Sequence, residues 1–465
     1  MKRDLTRGNI TSNLVMTAIP IMLGHMAQTL YELVDMAWVG QLSSSAVAAV
    51  TVFSGIHALS FVLNNVVGNS SVSMISQSFG AKDYKRTERV IEQTLVFKAL
   101  LAIVASILIF PFLPHLLRLF TDDAIVLEEA LSYGRIRLIM LPILFSSFTV
   151  ATALRCIGDS KRAMYIMFVS AGLNIVLDPL FIFDRVPLLG IPGLGLGVFG
   201  AALATEISAA ISFLYGAWIL FSGKTQVQPS LKGLLRLDWE IDWQLLKIGA
   251  PQSLGSLLRS IGDVIVIRFV SGFGTLALAV MGIVSRLVGF LVVPVNGLIS
   301  AGSTIVGQNL GAQQVERAEK TAWVAAWLGL GSMTCLALIV ALFQGQIFGL
   351  FTNEPAVIEM GRSGTFAVLP MLLIAGFSMG LASALAGAGY TLPFLISGMV
   401  ARWGVQVPFL FLVVNVLKLP FFFTALSFTV AELAGGAVLF IAHLRGRWRT
   451  WRVTKTEDMA KPATA

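Results

Sequence analysis

At 465 residues the chain has room for several soluble domains, yet 56% of it is hydrophobic and only 12% charged. Soluble domains carry about a quarter charged residues, so this balance excludes a soluble enzyme core and points to a lipid-embedded protein. The formal net charge of +8 is met by anionic lipid headgroups and gives no separate support for nucleic-acid binding.

In chain order, residues 1–13 are basic and polar, with no small-residue cleavage site behind a short apolar core. They are expected to form a retained cytoplasmic tail. Crossing a bilayer as a helix takes roughly 20 apolar residues, and lipid offers no water to backbone groups, so long apolar runs must be helical. Hydropathy and punctuation predict helices near 14–40, 45–75, 88–112, 130–155, 162–184 and 196–222. A second six follow near 244–270, 275–305, 317–345, 358–387, 392–416 and 419–445. The expected fold class is therefore an all-α polytopic membrane protein of twelve helices. Its expected domains are a six-helix lobe over 1–222, a cytoplasmic linker over 223–243, a second six-helix lobe over 244–445 and a basic tail over 446–465.

Lys and Arg placement gives the topology. One set of breaks holds Lys2, Arg3, Arg7, Lys82, Lys85, Arg86, Arg89, Arg155, Lys161 and Arg162, and continues with Lys224, Lys232, Arg236, Arg317, Lys320 and the tail. The alternate breaks offer only Arg118, Arg185 and Lys418. Both termini are expected on the cytoplasmic side of a bacterial or archaeal inner membrane. Cys156 and Cys335 give neither a disulfide framework nor a metal-ligand spacing.

The two halves repeat. Pro20 and Gly24 match Pro251 and Gly255 at an offset of 231, which also carries Gln77, Gly80, Ala81 and Arg86 onto Gln308, Gly311, Ala312 and Arg317. Phe120-Thr121 falls on Phe351-Thr352 and Gly158 on Gly389, with a local three-residue slip where Pro142 answers Pro370. Six helices is an even number, so both units enter the membrane from the same side as parallel repeats, a common basis for alternating access.

The stretch from Tyr31 to Gly40, with Glu32, Asp35 and Trp38 inside it, resembles the first helix of multidrug and toxic compound extrusion (MATE) transporters. So do the repeated Gln-x-x-Gly-Ala turns, Arg155-x-x-Gly158-Asp-x-Lys161, Asn174 to Pro179, and Gly200 to Thr205. Asp35 together with Asn174 and Asp178 is similar to the DinF-like branch. The resemblance covers all twelve helices. It departs at Arg259, where other branches carry an acidic residue eight positions after the proline of the seventh helix.

Ionisable groups inside a membrane are costly, and each is a functional candidate. Asn174 and Asp178 share a helix face at i, i+4, as do Tyr31 and Asp35, with Gln28 one turn earlier. With Tyr133 and Thr205 they are expected at one depth in the outer half of the first lobe. At the repeat offset Asp35 answers Val266, and around the fifth helix, two residues out of that register, Asp178-Pro179 answers Val407-Pro408. The scaffold accepts valine at both places, so it does not need the carboxylates. Two carboxylates in one low-dielectric pocket cannot both ionise cheaply, which suits a group that exchanges a proton. Oxygen donors from Asn174 and Thr205 would equally complete a sodium site, and the residues do not separate the two.

The resemblance implies that Asp35, Asn174, Asp178 and Thr205 form the ion-coupling site, with Tyr31, Tyr133 and Gln28 lining it and Pro20 a helix hinge. Glu32, Glu206 and Asp263 are weaker candidates, since Glu32 answers Asp263 in the repeat and Asp263 lies i, i+4 from Arg259, an arrangement expected to be self-neutralising. His25 and His57 are expected to be satisfied polar residues. The implied function is secondary active export of organic, cationic or amphiphilic drug-like compounds in exchange for protons or sodium, with no cofactor, by a monomer whose partners are substrates and lipid. A lipid-linked-oligosaccharide flippase of the same superfamily is the alternative, because Arg259, Arg268, Arg286 and Arg402 fall in membrane segments. An enzyme is not expected. Gly223-Lys224-Thr225 lacks the earlier glycine of a phosphate-binding loop, and Gly193-x-Gly195-x-Gly197-x-x-Gly200 has no strand before it.

Overall fold

Apolar sequence closes its own backbone hydrogen bonds, and the computed structural model, which describes residues 4–187 and 189–453, is a set of helices. The spans are α1 (Ile10–Gly40), α2 (Ser44–Gly80), α3 (Tyr84–Ile109), α4 in two pieces (Ala124–Ile139 and Leu141–Cys156), α5 (Ser160–Ile182) and α6 (Gly197–Phe221). They continue as α7 (Trp239–Ser271), α8 (Thr275–Gly311), α9 (Val315–Gly349), α10 (Pro355–Ala388), α11 (Leu392–Val416) and α12 (Phe421–Leu444). Ten are long and apolar enough to cross a membrane, and the bent α4 pair makes an eleventh. The twelfth, α7, carries Glu240, Asp242, Lys247, Arg259, Asp263 and Arg268 along its length and reads as a span through its place in the repeat. Most of the expected basic tail lies outside the described residues.

Two predicted boundaries differ for physical reasons. The single helix expected over 130–155 begins at Ala124 and bends by 53° at Met140. Pro142 sits at the start of its second piece, where it cannot continue the first ladder. Helix α2 runs to Gly80 through a serine-rich stretch of low hydropathy. Those hydroxyls bond back to their own helix, Ser70 Oγ donating to Val66 O at 2.9 Å and Ser78 Oγ to Met74 O at 2.8 Å.

The repeat extends to details of backbone. Helices α2 and α8 are each 37 residues long and start and stop in register. The turns after them place Lys82 and Gln313, equivalent positions, both at φ 60°. Gly158 and Gly389 both take positive φ, 84° and 75°, to end a helix where a side chain would be strained. The apolar cores correspond too. Val39, Ala46, Ala49, Val50 and Phe53 in one half answer Val270, Ala277, Val280, Met281 and Val284 in the other.

The chain divides into two compact units, one of Leu23–Leu246 and the other of Leu5–Met22 with Lys247 onward. The sequence boundaries put all of α1 in the first lobe. Its opening turns instead join the second unit, because Leu14, Ala18 and Ile21 pack with Leu298, Ala301 and Ile305. Residues 223–243 belong to the first unit, strapped along α3. Ser230 N donates to Glu92 Oε1 at 2.6 Å, Gln228 N to Glu88 Oε1 at 2.7 Å and Asp238 N to Gln93 Oε1 at 2.9 Å. Arg89 Nε adds an ion pair to Asp238 at 3.6 Å.

Candidate functional site

Within the first unit, α5 and α6 touch backbone to backbone at Gly200, where a methyl group would overlap the carbonyl oxygen of Phe181. Small residues at such crossings are how membrane helices come close. The approach puts Asn174 of α5 beside Thr205 of α6. Asn174 Nδ2 donates to Asp178 Oδ1 at 2.9 Å and to Thr205 Oγ1 at 3.2 Å, and Thr205 Oγ1 donates to Ala201 O at 3.0 Å. Asp178 is fully buried and Asn174 is 1% exposed. Asp35 of α1 meets Asp178 carboxyl to carboxyl.

Three oxygens in this cluster, Asp35 Oδ1, Asn174 Oδ1 and Asp178 Oδ2, are buried and accept no hydrogen bond from the described residues. Buried polar atoms are nearly always satisfied, and these three come together from two helices. Beside them lies a cavity of about 50 Å³ lined by Gln28, Tyr31, Asn174, Thr205, Phe148 and Met167 among others. Such a volume holds an ion with a few waters. Among the described residues no three His, Cys, Asp or Glu side chains converge as a metal cluster. The oxygens that meet here are of carboxylate, amide and hydroxyl type.

The structure brings together all four residues expected for coupling, with Tyr31 and Gln28 at the cavity. Tyr133 is 6% exposed and packs edge-on against Phe53 at 5.5 Å. Gln28 Nε2 donates to Glu32 Oε1 at 3.3 Å, which holds Glu32 on its own helix, one turn from Asp35.

Sequence reasoning missed Arg137. It lies i+4 from Tyr133 on α4, its side chain 12% exposed, with Nη1 3.2 Å from Glu206 Oε1 and Nη2 3.4 Å from His57 Nε2. Its guanidinium acts electrostatically on Asp35, Tyr31 and Tyr133 as well. The available signal was an arginine within a predicted membrane helix, one turn from a residue already singled out. Glu206, adjacent to Thr205, is thus the partner of a permanent cation next to the carboxylate pair.

In the second unit the expected Arg259–Asp263 pairing is corrected. Asp263 Oδ1 pairs with Arg402 of α11 at 2.7 Å, and Arg259 Nη2 donates to Ser256 Oγ at 3.2 Å. Gly262 makes the difference, since a methyl group there would press on the Arg402 side chain at 3.2 Å. Glu432 lies within electrostatic reach of Arg259 and Arg402. Glu206-Ile-Ser-Ala-Ala and Glu432-Leu-Ala-Gly-Gly are similar local sequences, so each unit keeps a glutamate on its last helix. Val266, the counterpart of Asp35, is 2% exposed inside an apolar cluster.

A MatE family profile matches residues 20–180 and 251–412, one copy in each repeat and well over half of the chain. The chain belongs to the MatE family. Among relatives of this MatE transporter, the probable multidrug resistance protein YoeA of Bacillus subtilis is 29% identical over 440 residues, covering 94% of both chains. The multidrug export protein MepA of Staphylococcus aureus is 25% identical, covering 92% of this chain and 93% of its own. Among solved structures, an outward-facing MATE multidrug resistance transporter of the MOP superfamily superposes with a TM-score of 0.87 at 28% identity. It covers 97% of this chain and 98% of its own.

The Gly200 crossing gives a direct test in this MatE chain. Gly200→Ala is expected to wedge α6 from α5, costing about 1–3 kcal/mol of stability and separating Thr205 from Asn174. Thermal unfolding of the detergent-purified variant should fall, and transport should fall further than stability. A variant as stable and active as the parent would show that the crossing yields freely.

Proposed function

We propose that this chain is a secondary active antiporter that exports organic, cationic or amphiphilic drug-like compounds in exchange for protons or sodium by alternating access. The supporting observation is the Asp35–Asp178 carboxyl pair with its three unsatisfied oxygens beside Asn174 and Thr205. A site whose acceptors outnumber its donors binds a small cation from water and must release it when water or charge reaches it. A cation bound more tightly in one conformation than the other biases the equilibrium between them, which is the thermodynamic requirement for coupling. The names of YoeA and MepA agree with drug-type export. The flippase alternative needs arginines free to hold an anion, whereas Arg259 and Arg402, which lie near each other, share that place with the carboxylates of Asp263 and Glu432. Arg402 is held by Asp263, and Arg268 is exposed, its Nη1 3.4 Å from Ser271 Oγ on its own helix.

The reading is tested with purified protein in liposomes. An imposed proton or sodium gradient is expected to drive an organic cation such as ethidium against its own gradient. Absence of substrate movement under both gradients, with protein correctly inserted, overturns it.

The same proposal places the protein in the cytoplasmic membrane with residues 223–243 inside. Gln226 is exposed on that strap. In a Cys335→Ser background, Gln226→Cys is expected to resist an impermeant thiol reagent in intact cells and to label after permeabilisation. Labelling from outside reverses the topology.

A further inference from the structure

At its end α12 is followed by Gly446 at φ 68°, which turns the chain into a single helical turn, Arg447–Thr450. Trp448 pins that turn. It is fully buried, stacks on His443 with ring centroids 5.3 Å apart and donates from Nε1 to His443 O at 3.1 Å. The turn holds Arg445 and Arg447 at the mouth of a cleft of about 250 Å³ whose walls are Tyr390, Pro393, Ile396, Val438, Ile441 and Ala442. The walls are almost wholly hydrocarbon, and Ile396 and Ile441 are 43% and 49% exposed.

The neighbouring arginines are already engaged. Arg449 Nη2 lies 2.5 Å from Glu319 Oε1, and Arg452 Nη1 donates to Arg449 O at 2.7 Å. No carboxylate among the described residues pairs with Arg445 or Arg447. Two fixed cations at the rim of an apolar cleft, at the end of a membrane helix, match one molecule that is anionic at one end and hydrocarbon at the other.

We propose that this cleft binds an anionic phospholipid, its phosphate against Arg445 and Arg447 and an acyl chain along Ile396, Val438 and Ile441. The cleft lies wholly in the second unit, away from the carboxylate pair, so it stands whether or not the coupling reading holds. Each basic residue near an anionic headgroup contributes enough that losing both should weaken binding about 30-fold.

The test is native mass spectrometry of the full-length protein in detergent, titrated with dioleoylphosphatidylglycerol, dioleoylphosphatidylcholine or glycerol phosphate. Phosphatidylglycerol is expected to bind selectively, with selectivity lost in Arg445→Gln/Arg447→Gln and kept in Arg445→Lys/Arg447→Lys. Ala442→Phe, which fills the cleft and leaves both arginines, is a second route to the same loss should the double variant fold poorly. Equal binding of both phospholipids overturns the proposal. So does an equal effect of glycerol phosphate, which would make the site one for free anions, and so does selectivity that survives both the double variant and the filled cleft.

Discussion

Asp35→Asn and Asp178→Asn are each expected to collapse proton-driven export while leaving folded, inserted protein. The amide is nearly isosteric with the carboxyl and removes a charge from a buried position, which membrane energetics do not penalise. Asp178 keeps its hydrogen bond to Asn174 only if the new amide presents its oxygen to Asn174 Nδ2. The lost property is the exchangeable proton. One pH unit is worth about 1.36 kcal/mol per proton, so a coupled exchanger sustains about a tenfold substrate gradient per exchanged proton. The variants should sustain none. An asparagine still offers an oxygen ligand, so raising external sodium should partly restore export if sodium is the coupling ion and should do nothing if the proton is. Normal proton-coupled export by either variant removes the pair from the mechanism.

Arg137→Met is expected to be the most damaging single change to stability outside the apolar core. It leaves Glu206, whose oxygens accept no hydrogen bond from the described residues, as a buried carboxylate stripped of its counter-ion. Breaking one side of a buried pair costs about 3–5 kcal/mol, much of an ordinary stability margin. The pair itself need not be worth that much, since replacing both partners by apolar groups is often neutral. Arg137→Met/Glu206→Leu should therefore recover most of what Arg137→Met loses. Thermal unfolding of the parent, both of these variants and Glu206→Leu in one detergent closes the cycle. Equal stability of Arg137→Met and the parent would mean that Glu206 is protonated or hydrated and that the 3.2 Å contact does not carry charge.

Much of the fold was legible because it is written twice. A turn that needs Gln77 and Ala81 in one half needs Gln308 and Ala312 in the other, and identities kept at such positions hold the register through changes elsewhere. The carboxylate site was legible for the opposite reason, since Asp35 and Asp178 break the repeat where Val266 and Val407 keep it. Pairings between helices were not legible. Arg259 and Asp263 satisfy the i, i+4 rule on α7, yet Gly262 admits Arg402 from α11, and a closer guanidinium wins. Arg137 was not legible as a site residue because its partners, Glu206 and His57, lie on other helices, although an arginine in a membrane helix costs as much as a carboxylate. The bend in α4 depends on where Pro142 falls relative to the hydrogen-bond ladder, which hydropathy averages away.

The two units are joined by continuous helices, because the chain passes from one to the other inside α1, between Met22 and Leu23, and inside α7, between Leu246 and Lys247. Each crossing has a proline close by, Pro20 and Pro251. Proline has no amide hydrogen for the carbonyl four residues earlier, so the ladder is already open at Met16 and at Lys247. One missing rung lowers the cost of bending each helix near its proline by about 1 kcal/mol. Pro20→Ala and Pro251→Ala, which restore those two rungs, are expected to slow transport more than they change ion binding, a split that parallel transport and binding measurements read.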